Sequence, residues 1–374
     1  MASANSRWIT SDTDNAFIRD VYVSVLGREP DPVGQKTFLD GFASGQLSRQ
    51  DMLLQMLVSE EFAVRHNRTR PAQQTPEDPN GCTRQEAMEV FAQFTRYQGP
   101  GRPGYVTNFL GNVSELAIFN LLGNASGLVE EYPIPGNFHG ETLEWIGTLR
   151  AALDARDSFS MIELGAGWGP WCVIGAMAAK QKGIGRVRVI GIEADIGHVE
   201  FMRRNFVANG ITEAEGEVLH GAIGIENGIA YFPKARSADQ VYGGAAAYSD
   251  TDKDSGPFAE FMRGNSGLVE TVEAVPCFAL LDQLDKFAQV DLVHCDIQGA
   301  ELELIPHAIG QLTAKVRRLI VGTHSFKIDR HLAEVMGGQG WTCEGVSACK
   351  MQGAVGGALL VCDGMQVWHN PKFA

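Results

Sequence analysis

Basic residues are scarce in this chain. It has 31 Lys and Arg against 45 Asp and Glu, a formal net charge of −14. Duplex nucleic acid and anionic membranes are both bound through clustered cations, so the balance argues against either as a partner. No apolar run reaches the ~18 residues of a spanning helix, and the opening MASANSRWITSDTDN has no basic-then-apolar signal region. CxxC pairs are missing too. Seven cysteines, an odd number, read as reduced thiols rather than a disulfide framework or zinc site. The expectation is a cytoplasmic protein with no transmembrane segment and no nucleic-acid partner. No internal repeat is visible. What is present is length: 374 residues, 44% hydrophobic, suffice for two domains or one large domain with an appendage.

The chain is organised around Ser158–Pro170, SFSMIELGAGWGP. A short apolar run ends in an acid, glycines follow at once, and a helical pattern starts at Trp171. Strand, glycine turn and helix start in that order form a nucleotide-binding corner at the carboxyl edge of a parallel sheet. Glycines let the backbone approach a ligand, and the helix start offers unpaired N–H groups. Dinucleotide binders want GxGxxG, and here Pro170 stands at the third glycine. The run Glu163–Gly169 resembles instead the [E/D]xGxGxG turn of S-adenosylmethionine enzymes. The resemblance implies that Glu163, Gly165, Ala166, Gly167, Trp168 and Gly169 meet that cofactor, with Glu163 near its methionine amino group. Trp168 and Trp171 flank the turn as a stacking platform or as core.

Residues 14–66 carry helical periodicity broken by Gly27, Pro30, Pro32 and Gly45, which predicts three or four short helices. Asp31, Glu60 and Glu61 read as solvated or capping groups. The segments YVSVLGREPDPVGQKTF and LVSEEF resemble a small bacterial helical domain of unknown function, found on surface-glycan and secreted proteins and similar to the phycobilisome linker repeat. That resemblance implies docking or homo-oligomerisation, with no chemistry. Residues 67–81 are polar and proline-rich, a linker. Residues 82–157 read as a helical lead-in or cap, with helices over 87–97, 115–122 and 142–155. In the intervening EYPIPGNFHGE, Pro133, Pro135 and Gly136 forbid a helix, so Asn137, Phe138 and His139 sit on a loop that covers the cofactor or substrate, or packs the incoming helix.

From 158 to 374 strands and helices alternate, which predicts a doubly wound α/β, Rossmann-like domain. Strands are expected at 159–164, 187–193, 217–223, 291–296 and 316–323. Residues 233–268 form a long polar, glycine-rich stretch, expected to be a lid. The end, WTCEGVSACK … GALLVCDGMQVWHN, reads as two further strands, a terminal pair that belongs to methyltransferases and not to nicotinamide dehydrogenases.

Glu193 ends the second strand in VIGIEAD, where a carboxylate can accept hydrogen bonds from ribose hydroxyls. Ala194 follows it, and Asp195 and His198 either touch an adenine or cap the next helix. Ala222, in HGAIG, lies where an adenine edge would be met by backbone and small side chains. The stretch VDLVHCDIQGAELELI, residues 290–305, ends a strand in Asp296 and opens a helix carrying Glu301 in its first turn. With ELGAGWG, GIEAD and AIGIENGIAYF, it resembles the FkbM family of S-adenosylmethionine-dependent methyltransferases over roughly residues 130–365. The family pattern is close to D-x-E-G-A-E-x-x-x-L; here Gln298 replaces the first Glu and Ile305 the Leu. The resemblance implies a class I fold and methylation of a hydroxyl on a sugar, polysaccharide or polyketide-like product. It places Asp296 in the site, touching cofactor and reaction. Gln298 joins Asn137 and His139 as a candidate substrate contact, and its lost charge leaves no expected metal. A hydroxyl needs a base near pH 7. Asp296 and His324, on adjacent strand ends, are the candidates, while His294 reads as buried and hydrogen-bonded. A nicotinamide-dependent oxidoreductase and a non-catalytic scaffold are the competing readings.

Overall fold

The computed structural model describes residues 13–23, 28–44, 47, 49, 52, 56, 81–119, 122–355 and 358–373. In the N-terminal segment, α1 (Asp14–Val21) opens on Thr13, which accepts the Ala16 N–H, and α2 (Pro32–Ala43) opens on Asp31, which accepts the Gly34 N–H. Such caps satisfy N–H groups that a helix start leaves unpaired. Phe17, Ile18, Phe38, Met52 and Met56 share one small core. Leu53 and Leu57 of the third apolar set, and 67–80 of the linker, lie outside the described residues.

The lead-in is less helical than its sequence suggests. Helix α3 (Arg84–Phe91) starts in a reciprocal Thr83–Glu86 capping box and stops well before Tyr97. Ahead of the helix expected over 115–122 lies a hairpin of β1 (Tyr105–Thr107) and β2 (Val113–Glu115); Leu116–Ile118 then form a 3-10 turn, and 120–121 lie outside the described residues. Asn108 explains the hairpin: its Oδ1 accepts the N–H groups of Leu110 at 3.0 Å and Asn112 at 3.1 Å, closing a turn that Gly111 finishes at φ 93°. The 133–139 segment folds into a short hairpin, β3 (Gly136–Asn137) and β4 (Gly140–Glu141), leading into α4 (Thr142–Asp154).

The rest of the chain is the doubly wound domain. In order it contains β5 (Phe159–Leu164), α5 (Pro170–Gln181), β6 (Val187–Glu193), α6 (Ile196–Ala208), β7 (Gly216–His220), β8 (Ala222–Gly224) and β9 (Gly228–Ala235). Then follow α7 (Asp250–Asp254), α8 (Gly256–Gly264), β10 (Val269–Ala279), α9 (Leu280–Asp285), β11 (Val290–Cys295), α10 (Glu301–Lys315), β12 (Val316–Thr323) and α11 (Phe326–Gly338). Strands β13 (Thr342–Ser347), β14 (Lys350–Val355), β15 (Ala358–Cys362) and β16 (Gly364–His369) end it.

Seven strands form the main sheet in the order β13-β16-β12-β11-β5-β6-β7. The five from β12 to β7 are parallel, and β16 runs antiparallel to both its neighbours. Every residue of β5 and β11 is buried, as central strands covered on both faces must be. One face packs against α3, α4, α5 and α6, the other against α9, α10 and α11. This is a Rossmann-like methyltransferase fold, with the reversed strand at its end.

Three expectations need correcting. The third strand is broken at Gly221, where an added Cβ would lie 2.5 Å from the Pro276 carbonyl oxygen. Past that point β8 leaves the main sheet and pairs with β10. The stretch expected to be a lid is largely regular: β9 and β10 pair antiparallel, α7 and α8 lie within 250–264, and loop remains at 236–249, with a short 3-10 turn, and at 265–268. The terminal stretch makes four strands, because β14 and β15 form a hairpin of their own between the two sheet strands.

Candidate active site

Strand order reverses between β5 and β11, and ligands of such sheets bind at the carboxyl edge of that point. The glycine turn and the end of β11 touch there. A Cβ on Gly165 would lie 1.8 Å from the Asp296 carbonyl oxygen, and the residue takes φ 71°, so glycine is required. Gly169, also left-handed, is the N-cap of α5, with Pro170 in its first turn.

Both acids of this corner are spoken for by backbone. Glu163, 1% exposed, accepts the Trp171 N–H at 3.3 Å and the Cys172 N–H at 2.7 Å, so it caps α5 from inside the fold. Burial pushes its pKa up to about 7. Both oxygens of Glu163 are thus engaged by the start of α5. Glu193 accepts the Gly167 N–H at 2.8 Å and the Asp195 N–H at 2.7 Å. Its oxygens keep lone pairs for further donors. Asp195 caps α6 by accepting the N–H groups of Gly197 and His198.

Sequence reasoning passed over the ring that covers this corner. Tyr242, from the 236–249 loop, stacks on His198 with centroids 4.3 Å apart and planes 11° apart, and meets Trp168 edge-on at 5.5 Å. The site of a Cβ on Gly167 has one neighbour within 4 Å, a Tyr242 ring carbon at 3.9 Å. The two tyrosines of VYGGAAAY, in a stretch otherwise of small residues, were the available signal. Ala166, Ala194 and Ala222 are all buried.

At the β11–β12 edge the structure brings Asp296 and His324 together. His324 Nε2 lies 3.0 Å from Asp296 Oδ1, and Gln298 Nε2 donates to the same oxygen at 2.9 Å. Among the described residues nothing bonds Asp296 Oδ2. Glu301 stands on the other side of the imidazole, with Oε1 3.3 Å from Nδ1. Burial works against charge on Asp296, but His324 and Gln298 outweigh it and lower its pKa. Burial also works against charge on His324, but Glu301 and Asp296 outweigh it and raise the pKa well above the usual imidazole value. With a carboxylate facing each ring nitrogen, the surroundings of His324 favour its charged form. Asp296, Glu301 and His324 bring ligating atoms within 4.8 Å of one another. The carboxylates face opposite ring nitrogens of His324, so the three also form an ion-paired chain.

His294, one strand over from Glu163 in register, is buried and bonds Glu144 Oε1 at 3.1 Å beneath the Trp171 ring. Asn137 and His139 are used up inside the lead-in. Asn137 donates to Glu130 at 3.0 Å and accepts from Trp145 Nε1 at 3.2 Å, and His139 bonds the Ser114 hydroxyl at 3.2 Å. Burial pushes His139 down to about 3 and Glu130 up to about 7. Neither Asn137 nor His139 lines the cavity next to Gln298, while the rings of Phe138 and His139 lie 6.4 and 6.3 Å from Trp168 of the glycine turn.

That cavity, about 740 Å³, lies beside Asp296 and is lined by Gln298 and His324. Ile223, Tyr248, Phe258 and Phe326 give it apolar walls, and Glu226, Asp252, Glu260, Glu303 and Lys327 also line it. Its volume is within the ~300–1,000 Å³ typical of small-molecule sites. Among the described residues no helix is long and apolar enough to cross a membrane.

Residues 2–66 match the model of a domain of unknown function, DUF4214. Over 280 residues the chain is 29% identical to a protein named "Putative methyltransferase" from Jannaschia sp. (strain CCS1), spanning 75% of this chain and 97% of that one. Among solved structures it is similar to precorrin-6y C5,15-methyltransferase from Geobacter metallireducens GS-15, at 10% identity and a TM-score of 0.33, covering 61% of this chain and 87% of the other. It is likewise similar to an O-methyltransferase from Bacillus cereus in complex with SAH, at 10% identity and a TM-score of 0.33, covering 62% and 81%.

Proposed function

We propose that the chain is an S-adenosylmethionine-dependent O-methyltransferase acting on a hydroxyl of a sugar, polysaccharide or glycosylated natural product. The observation that supports it most is the end of β11, where the Asp296 backbone carbonyl abuts Gly165 of the glycine turn and the adjoining Ile297, Gln298 and His324 line a cavity of about 740 Å³. Bound S-adenosylmethionine supplies a methyl carbon on a sulfonium, which a hydroxyl oxygen attacks in line. The chain's residues do the rest. Gly165, Gly167 and Gly169 shape the turn, Glu193 has lone pairs left for ribose hydroxyls, and Ala194 and Ala222 leave a flat surface for the base. Asp296 orients the acceptor hydroxyl and takes its proton, and His324 and Gln298 hold the carboxylate in place. Holding donor and acceptor aligned supplies much of the acceleration.

The saccharide part of the reading rests on the FkbM resemblance and on the N-terminal segment, for which we propose docking or self-association. The cavity favours a neutral glycosylated acceptor over a phosphorylated one, since four carboxylates and one lysine line it. We propose that no divalent metal takes part. Incubation of the protein with S-adenosylmethionine and a glycan panel, followed by mass spectrometry, tests the reading. A methyl gain on a neutral glycan or glycoside supports it. Transfer only to an amine or a carbon, or an equal rate on sugar phosphates, contradicts it.

A further inference from the structure

We propose that Glu301 is a positioning residue that keeps His324 permanently protonated, leaving Asp296 as the one group that takes the acceptor proton. The inference rests on the methyl-transfer reading above. Glu301 is 0% exposed in the first turn of α10. Its Oε1 accepts the Ile297 N–H at 2.6 Å and its Oε2 accepts the Gly299 N–H at 2.8 Å. The carboxylate therefore clasps the turn that carries Gln298 at φ 56°, the single non-glycine left-handed residue among those described. Backbone strain of that kind persists only where the surroundings hold it.

The same Oε1 lies 3.3 Å from His324 Nδ1, while Asp296 Oδ1 lies 3.0 Å from Nε2. An acid therefore faces each ring nitrogen, the one at Nδ1 as a close ion pair rather than an aligned hydrogen bond. Glu301 faces the ring from α10 and Asp296 from the end of β11. Asp363, in the turn between β15 and β16, adds a third acid to this environment. Removing the ring proton would leave these acids around a neutral, buried imidazole. During transfer the acceptor oxygen uses a lone pair to bond the methyl carbon and the C–S pair stays on sulfur. The hydroxyl proton passes to Asp296 Oδ2. An oxygen part-way to an oxonium is strongly acidic, so a carboxylate of lowered basicity suffices. Glu301 touches none of the reacting atoms.

The test is histidine-¹⁵N NMR on the full chain, with and without S-adenosylhomocysteine, with the His324 signal assigned by its absence in His324→Gln. The wild type should show imidazolium shifts with protons on both nitrogens up to at least pH ~8, well past the ~6.5 of a free imidazole. Glu301→Gln keeps the side chain's shape and should lower the His324 pKa by ~1–3 pH units, the effect of one adjacent opposite charge. Glu301→Asp should restore part of the difference. A neutral His324 at pH 7 in the wild type overturns the proposal without any variant having to fold. So does a Glu301→Gln protein whose His324 titrates as before. Calorimetry with S-adenosylhomocysteine is a separate arm: no binding there defeats the methyltransferase reading and leaves the protonation result standing.

Discussion

At the glycine turn, Glu163 and Glu193 accept hydrogen bonds from the backbone N–H groups of Trp171, Cys172, Gly167 and Asp195. At the β11–β12 edge, the Asp296 carboxylate meets only side chains, through Oδ1, and its neighbours Gln298 and His324 line a cavity. Both regions hold buried or half-buried acids at strand ends. The first uses them to fix the shape of a turn and a helix start, and the second holds one in reserve. A carboxylate's task follows from which of its lone pairs are already occupied, and motif position alone does not reveal that.

The comparison breaks most readily at Asp296. Asp296→Asn keeps the shape and removes the proton acceptor, so kcat should fall by ~10²–10⁴-fold while affinity for S-adenosylhomocysteine stays within a few-fold. Turnover of the acceptor found by the glycan screen measures it, and an unimpaired variant would return the base role to another group. EDTA should leave wild-type turnover unchanged. Loss of activity with rescue by magnesium would turn the Asp296–His324–Glu301 chain into a metal site. Glu163→Gln should cost about 1–3 kcal/mol of folding stability, because it sets an amide against helix N–H groups, with little change in cofactor affinity. Urea unfolding alongside calorimetry separates the two, and a purely binding defect would restore Glu163 to the cofactor. Glu193→Ala should weaken binding of S-adenosylhomocysteine by about 1–3 kcal/mol. Unchanged affinity in a folded variant would make this acid wholly structural.

Much of the fold was legible because central parallel strands are apolar throughout and end at glycine or acid punctuation. MIELGAG and VIGIEAD fixed two strand ends by that pattern. The hairpin at 105–115 was not legible, since Asn108 acts through two local side-chain bonds that leave no periodicity. Gly221 hid the departure of β8, because only the Pro276 backbone packed against it shows why a side chain is excluded there. In the site, strand-end placement found Asp296 and His324. It missed that Glu301, five residues on, reaches back to the same imidazole and changes its charge. Asn137 and His139 were drawn to the ligand by their position in a loop, yet Trp145, Glu130 and Ser114 occupy them.

Tyr242 sharpens the comparison with the smallest effect. If its ring fills the empty corner, Tyr242→Ala should tighten S-adenosylhomocysteine binding by a few-fold, and exchange of amide protons in 236–249 should speed up when the ligand binds. Weaker binding in the variant would show that the ring stacks on the bound nucleoside instead.

Calorimetric titration of the wild-type chain with S-adenosylhomocysteine and, separately, with NAD tests the account most directly. The structure predicts saturable binding of one S-adenosylhomocysteine per chain and no heat with NAD. Binding of NAD, or of neither ligand, would contradict it.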